Sequence, residues 1–236
     1  MLTKSELAQY NARFGAFDPN LYNVTRWEYY DTVVYPLGAV GPTQLQFFVV
    51  PQGGADPISA LAKSTEDTNL SQSGTFGRVS FFLRQVRMNI GLKPRARQTD
   101  TTADDVYSAL LRPNQATIAR IAHQGVLTIK LNNWTMPQIQ QPFLRAPAGF
   151  GLDITNHAAS SAAANEVTSL WTQGDQNLDN VYYLPYGKLI PENCTVQVAM
   201  DYPNGAAPAL SVVSTVRPNV AMRLVFSGII IRPAQG

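Results

Sequence analysis

The stretch Gly125-Val-Leu-Thr-Ile-Lys-Leu131 decides the fold class of this 236-residue chain. From Val126 to Leu131 apolar and polar side chains alternate, as in a β-strand that turns one face to a core and the other to solvent. A second stretch, Thr195-Val-Gln-Val-Ala-Met-Asp201, alternates in the same way. Both stretches therefore predict half-buried strands of antiparallel sheets.

Similar β-rich runs lie on both sides of these two stretches and are separated by Pro, Gly and Asn. They predict strands at Thr32–Tyr35, Gln44–Val50, Arg78–Ile90, Val126–Leu131, Val181–Leu184, Thr195–Met200, Leu210–Val213 and Met222–Ile231. Regularly punctuated strands of this kind favour an all-β sandwich or barrel.

The first residues predict a helical arm. Thr3 and Glu6 are spaced as a capping box, and Leu7, Tyr10 and Phe14 share one face of the helix that follows. Such an amphipathic helix could pack on its own domain or on a neighbouring subunit, and the sequence leaves both alternatives open.

Two short helical inserts are predicted within the β framework. One begins at Asp56-Pro57 and runs through Lys63, and the other begins at Asp104-Asp105 and runs to Leu111. The small-residue stretch 156–165 predicts an exposed loop or a subunit-contact segment.

The composition favours a protein that assembles. Only 14% of the residues are charged, against about 25% in an average protein, and the net charge is +2. Gln, Asn, Ser and Thr fill the polar positions, and these are buried against another subunit at lower cost than Lys or Glu. A low-charge extracellular β domain is the alternative.

Residues for cysteine- or histidine-based chemistry are scarce. Cys194 is the only cysteine, and the two histidines, His123 and His157, do not form a metal-binding spacing. Neither a nucleophile elbow nor a phosphate-binding loop is recognisable. We therefore expect no enzymatic activity and no cofactor. The first residues also do not resemble a signal peptide, which predicts synthesis and folding in a cytoplasm.

The best metal candidate is weak. Asp175, Asn177 and Asp179 place oxygen ligands at alternate positions, as in a calcium loop, but Tyr186 stands where the bidentate glutamate should be. A polar turn is the alternative. A carbohydrate site in the same region could use the aromatic side chains of Trp171, Tyr182, Tyr183 and Tyr186.

The sharpest charge feature is the range 78–97, which contains no acidic residue. We predict that its basic side chains contact packaged nucleic acid, anionic lipid or a neighbouring subunit, with a solvated strand end as the alternative. The candidate contact residues are Arg84, Arg87, Lys93, Arg95 and Arg97.

A resemblance adds to this interpretation. The closing strand Met222-Arg-Leu-Val-Phe-Ser-Gly-Ile-Ile-Ile-Arg232, together with Asp67-Thr-Asn-Leu70 and Phe76-Gly-Arg-Val-Ser-Phe-Phe82, resembles the jelly-roll major capsid proteins of tailless icosahedral phages, which often enclose a membrane. The resemblance covers most of the chain, but it lies in general sequence character and includes no diagnostic motif. It therefore identifies no site residue.

The resemblance implies a jelly-roll body at 21–236 behind the arm at 1–20. If the jelly roll is double, its halves are about 21–98 and 125–236, joined by a helical connection at 99–124. A weak echo of Tyr35-Pro36 at Tyr202-Pro203 keeps the double version open.

The function that the resemblance implies is that of a coat subunit. It would form trimeric or pentameric capsomers with itself and with other capsid proteins, assemble in the host cytoplasm and become part of the virion. Its inner face would meet the packaged genome or a viral membrane. The alternative is a lectin-like or receptor-binding β-sandwich, such as a viral spike.

Overall fold

The computed structural model describes residues 2–35, 41–58, 60–93, 121, 124–132, 134–135, 181–203, 205 and 219–234. These residues contain one α-helix of 11 residues and eight strands. The elements are α1 (Lys4–Phe14), β1 (Tyr22–Tyr35), β2 (Gln44–Phe47), β3 (Ser80–Lys93), β4 (Val126–Leu131), β5 (Trp134–Thr135), β6 (Tyr182–Ile190), β7 (Val196–Asp201) and β8 (Asn219–Pro233).

The strands form two four-stranded antiparallel sheets. The first sheet has the order β1-β8-β3-β6, and the second has the order β2-β7-β4-β5. The pairs are nested along the chain, because β1 pairs with β8, β2 with β7, β3 with β6 and β4 with β5. The predicted all-β class is confirmed.

The main core lies between the two sheets. One continuous cluster of buried side chains takes residues from both, among them Tyr35, Phe81 and Phe226 from the first sheet and Phe47 and Leu127 from the second. Each of these five side chains is fully buried. Burial of a large apolar side chain contributes about 1.5–3 kcal/mol to folding, so this cluster is the main source of stability.

A buried ion pair ties β1 to the loop between β2 and β3. Lys63 Nζ lies 2.6 Å from Asp31 Oδ1, and both side chains are almost completely buried. The backbone N–H of Phe48 donates a hydrogen bond of 2.7 Å to Asp31 Oδ2. Burial raises the pKa of Asp31, although Lys63 and these hydrogen bonds act in the opposite direction.

Seven of the eight predicted strands fall on observed strands, and most of them differ from the observed strands in length. The strand at Val126–Leu131 has the predicted bounds, whereas β1 begins ten residues before the predicted Thr32. The early part of β1 is exposed, and it therefore lacks the apolar signal of a half-buried strand. β6 continues to Ile190 through Pro185, which an edge strand tolerates because it needs fewer N–H donors. The predicted strand Leu210–Val213 lies outside the described residues.

The prediction of a helix from Asp56 to Lys63 is wrong. The described part of this segment folds back on itself: Ala55 and Ala62 form an antiparallel bridge, and Asp56 N donates to Leu61 O at 2.9 Å. The Asp56 side chain accepts the N–H of Ile58 at 3.0 Å, as in a turn. The predicted insert at 104–111, the stretch 156–165 and nearly all of the connection at 99–124 lie outside the described residues.

The helix α1 packs on the outer face of the first sheet. The predicted capping box is present, since Thr3 accepts the N–H of Glu6 and Glu6 accepts the N–H of Thr3. Tyr10 is buried in a second apolar cluster with Phe82 and Ile229. The arm could pack on its own domain or on a neighbouring subunit, and in this structure it packs on its own domain.

Candidate functional site on the outer face of the first sheet

A β-bulge in β3 places two of the predicted basic residues, Arg84 and Arg87, on the outer face of the first sheet. The pairing of β3 with β8 passes from Leu83–Gly228 to Gln85–Ser227, which leaves Arg84 as the additional residue in this pair. The pairing of β3 with β6 is also irregular here. Leu83 and Val86 belong to the core between the sheets. Arg84 and Arg87 therefore lie on the opposite face.

Arg84 binds the N-terminal helix. Its Nε and Nη2 donate to Glu6 Oε1 and Oε2 at 2.7 and 2.6 Å, and Glu6 is only 1% exposed. Gly187 on β6 makes room for this carboxylate, because a Cβ there would overlap with Glu6 Oε1. Burial raises the pKa of Glu6, but the hydrogen bonds from Arg84 and Thr3 outweigh that effect and leave it below its ordinary value.

Arg87 binds a second glutamate on the same face. Its Nη2 donates to the two carboxylate oxygens of Glu28 at 2.9 and 2.8 Å, and Ser227 donates to the same carboxylate at 2.7 Å. This network joins three adjacent strands, β1, β8 and β3. Glu28 is half exposed, so a ligand or partner can reach it.

The range 78–97 contains no acidic residue, but two of its arginines form ion pairs with glutamates from other parts of the chain. Glu6 and Glu28 come from α1 and β1 and neutralise Arg84 and Arg87. Lys93 is paired through its backbone with Asn219. Arg95 and Arg97 lie outside the described residues, as do the calcium candidates Asp175, Asn177 and Asp179.

Further arginines stack on aromatic rings of β1. Arg223 lies 5.4 Å from the ring centre of Tyr30, and Arg232 lies 5.0 Å from that of Trp27. Next to them, Arg26, Trp27, Glu28 and Arg84 line an open groove of about 660 Å³. This face combines arginine, carboxylate and aromatic groups, which suits binding to a polar or anionic surface.

Side-chain amides satisfy the backbone at both edges of the first sheet. At the β1 edge, Asn69 Oδ1 accepts the N–H of Tyr30 at 3.0 Å and Asn69 Nδ2 donates to Glu28 O at 2.7 Å. At the β6 edge, Gln9 Nε2 donates to Gly187 O at 2.9 Å and Gln9 Oε1 accepts the N–H of Leu189 at 3.3 Å. Each amide takes the place of a neighbouring strand and limits further pairing there.

The aromatic carbohydrate platform predicted from sequence is not brought together in the described residues. Tyr182 packs against the core, while its neighbour Tyr183 is 43% exposed and points to the opposite face of β6. Trp171 lies outside the described residues. Cys194 is buried, and burial raises the pKa of its thiol, which is the environment of a packed cysteine.

Comparison with protein-family models, with curated proteins and with solved structures returned no match. The described residues contain no group of three or more His, Cys, Asp or Glu side chains placed to hold a metal ion. Within the same part of the chain, α1 is too short and too polar to cross a membrane.

Proposed function

We propose that this chain is a coat subunit built as a single jelly roll. The nested strand pairing is the observation that carries the proposal. Successive pairs alternate between the two sheets: β1 with β8 in the first, β2 with β7 in the second, β3 with β6 in the first, and β4 with β5 in the second. Eight strands rolled up in this way are typical of viral capsid, lectin and cupin domains.

The same pairing supports the single jelly roll over the double one. In a double jelly roll, the ranges 21–98 and 125–236 would each form their own sheets. Here every strand of the first range pairs with a strand of the second, and one core cluster spans both sheets.

The surface supports a role in assembly over a freely soluble monomer. Charged residues are scarce, and large apolar side chains are exposed along the arm and its connection to β1: Leu7 at 36%, Phe14 at 40% and Leu21 at 60%. Exposed apolar groups near a neutral, amide-rich surface favour contacts between subunits. Closed symmetry then turns repeated contacts into trimeric or pentameric capsomers and a shell.

In this proposal the chain is a structural protein of a phage virion, assembled in the host cytoplasm, and has no catalytic role. The arginine-bearing outer face of the first sheet is the better candidate for contact with the packaged genome, a viral membrane or another subunit. The exposed Arg26 and the partly buried Arg223, which both line grooves on this face, are the side chains that would make this contact.

The test is the mass of the purified protein by light scattering, with electron microscopy of the same sample, across a range of salt concentrations. We expect capsomers or shells that persist as salt rises, because neutral contacts are screened little. A variant with Leu7→Gln and Leu21→Gln should assemble less, while Lys4→Gln serves as the matched control on the arm. A stable monomer at all salt concentrations would contradict the proposal.

A further inference from the structure

The outer face of the second sheet contains a groove with a different character. Its centre is Ala199 on β7, which lies between Gln46 on β2 and Thr128 on β4 in the strand register. The small methyl group forms a low point between longer side chains. The groove has a volume of about 630 Å³, within the range of about 300–1,000 Å³ usual for small-molecule sites.

A hydrogen-bonded network fixes the polar groups on one side of this groove. Gln44 Nε2 donates to Asp201 Oδ1 at 2.6 Å, and Thr128 Oγ1 donates to Asp201 Oδ2 at 3.1 Å. Gln46 Nε2 in turn donates to Gln44 Oε1 at 2.9 Å. The Asp201 carboxylate is thus held in one orientation and keeps acceptor capacity for a ligand.

The other groups define the chemistry of the ligand. Lys130 adds a cation that balances Asp201, while Ala199 and the half-exposed Val49 supply apolar contact. Amide groups both donate and accept hydrogen bonds, as sugar hydroxyls do. A free anion would be repelled by Asp201, whereas a sugar brings no charge, a set of hydroxyls and an apolar C–H face.

We propose that the groove around Ala199 and Asp201 binds a neutral saccharide. This activity goes beyond the coat role and is separate from the arginine-bearing face of the first sheet. In a coat subunit, such a groove would give the particle affinity for glycans on a surface that it meets.

The test begins with the intact, labelled protein on an array of immobilised neutral mono- and oligosaccharides, followed by calorimetric titration with the free saccharide that is retained. Asp201→Ala removes the fixed acceptor, and Ala199→Trp fills the centre of the groove. Each should weaken binding by at least about tenfold, as expected for losing a hydrogen bond to a charged group or access to the site.

Ala12→Trp on α1 is the matched control, because it makes the same change at an exposed residue on the other side of the sandwich. Thermal unfolding of each variant shows whether it is folded. Retention of no saccharide by the wild type, or equal affinity in Ala199→Trp and Ala12→Trp, would overturn the proposal.

Light scattering on the same samples separates the two proposals. Particles without saccharide binding would refute the groove alone, and saccharide binding by a permanent monomer would refute the coat role alone. If Ala199→Trp blocks assembly and no saccharide is retained, the groove is a contact between copies of the chain, which also overturns the saccharide proposal.

Discussion

The guanidinium of Arg84 donates two hydrogen bonds to the buried carboxylate of Glu6, which lies 78 residues earlier in the chain. This pair fastens α1 to the first sheet at the bulge in β3. The same carboxylate also closes the capping box with Thr3, so a single side chain both starts the helix and anchors it.

Glu6→Ala should lower the free energy of unfolding by about 1–3 kcal/mol, because it removes charge-assisted hydrogen bonds and one half of the capping box. Lys4→Ala, at an exposed position of the same helix, should change it by no more than about 0.5 kcal/mol. Urea unfolding of the unassembled protein measures both. Equal losses in the two variants would show that the ion pair contributes nothing.

The anchor should also depend on pH. Because the pKa of Glu6 in the folded protein lies below its ordinary value of 4.5, the stabilisation is complete above that pH and is lost as the pH falls through the folded value. The difference in thermal midpoint between wild type and Glu6→Gln should therefore shrink on acidification below 4.5. A difference that is constant with pH would contradict this assignment.

Gly187→Ala should be coupled to Glu6. The added methyl group would occupy the space of the Glu6 carboxylate and displace it from Arg84. We expect a loss of about 1–3 kcal/mol in the wild type and a clearly smaller loss in a Glu6→Ala background. A double-mutant cycle by urea unfolding measures the coupling, and additive losses would argue against it.

Lys63→Met should be the most damaging of these changes, because it leaves Asp31 buried without its counterion. Breaking a buried ion pair from one side costs about 3–5 kcal/mol. The double variant Asp31→Asn/Lys63→Met should regain part of this, since the uncompensated charge is gone while the contact with Phe48 N–H can remain. Urea midpoints compare the three proteins; a double variant less stable than Lys63→Met would contradict the explanation.

Asn69→Ala should loosen the β1 edge. It removes hydrogen bonds to the backbone of Glu28 and Tyr30, for an expected loss of about 1–3 kcal/mol. Hydrogen exchange of the Tyr30 amide should accelerate, while exchange in β7 should stay unchanged. Asn23→Ala, at an exposed position of the same strand, is the control, and equal exchange at Tyr30 in both variants would refute the role of Asn69.

The fold class could be predicted because apolar and polar residues alternate along a half-buried strand. Val126–Leu131 and Thr195–Met200 are placed almost as observed. Residues 22–28 of β1 are exposed or only partly buried and carry no such pattern, and the two-residue strand at Trp134 is too short to show one. At Asp56-Pro57 the capping signal predicts a helix start, although the same residues also favour the turn that the structure has.

The charge environment could be predicted less well. The range 78–97 is correctly seen as basic, but Glu6 and Glu28 reach Arg84 and Arg87 only through tertiary pairing. The bulge at Arg84 and the amides of Gln9 and Asn69 also have no periodic signature. The sequence offers one indication of the pair with Arg84. Glu6 is the third helical residue of a capping box, and a carboxylate that is buried there needs a cationic partner.

The central place of β8 in the first sheet sets the order in which this protein can fold during translation. β1 and β3 do not pair with each other, and both pair with residues 219–233. A ribosome must therefore synthesise nearly 200 residues after β1 before that strand finds its partner. Until then the nascent chain holds two long strands with open edges, so chaperone binding and slow, late closure are expected of its biogenesis.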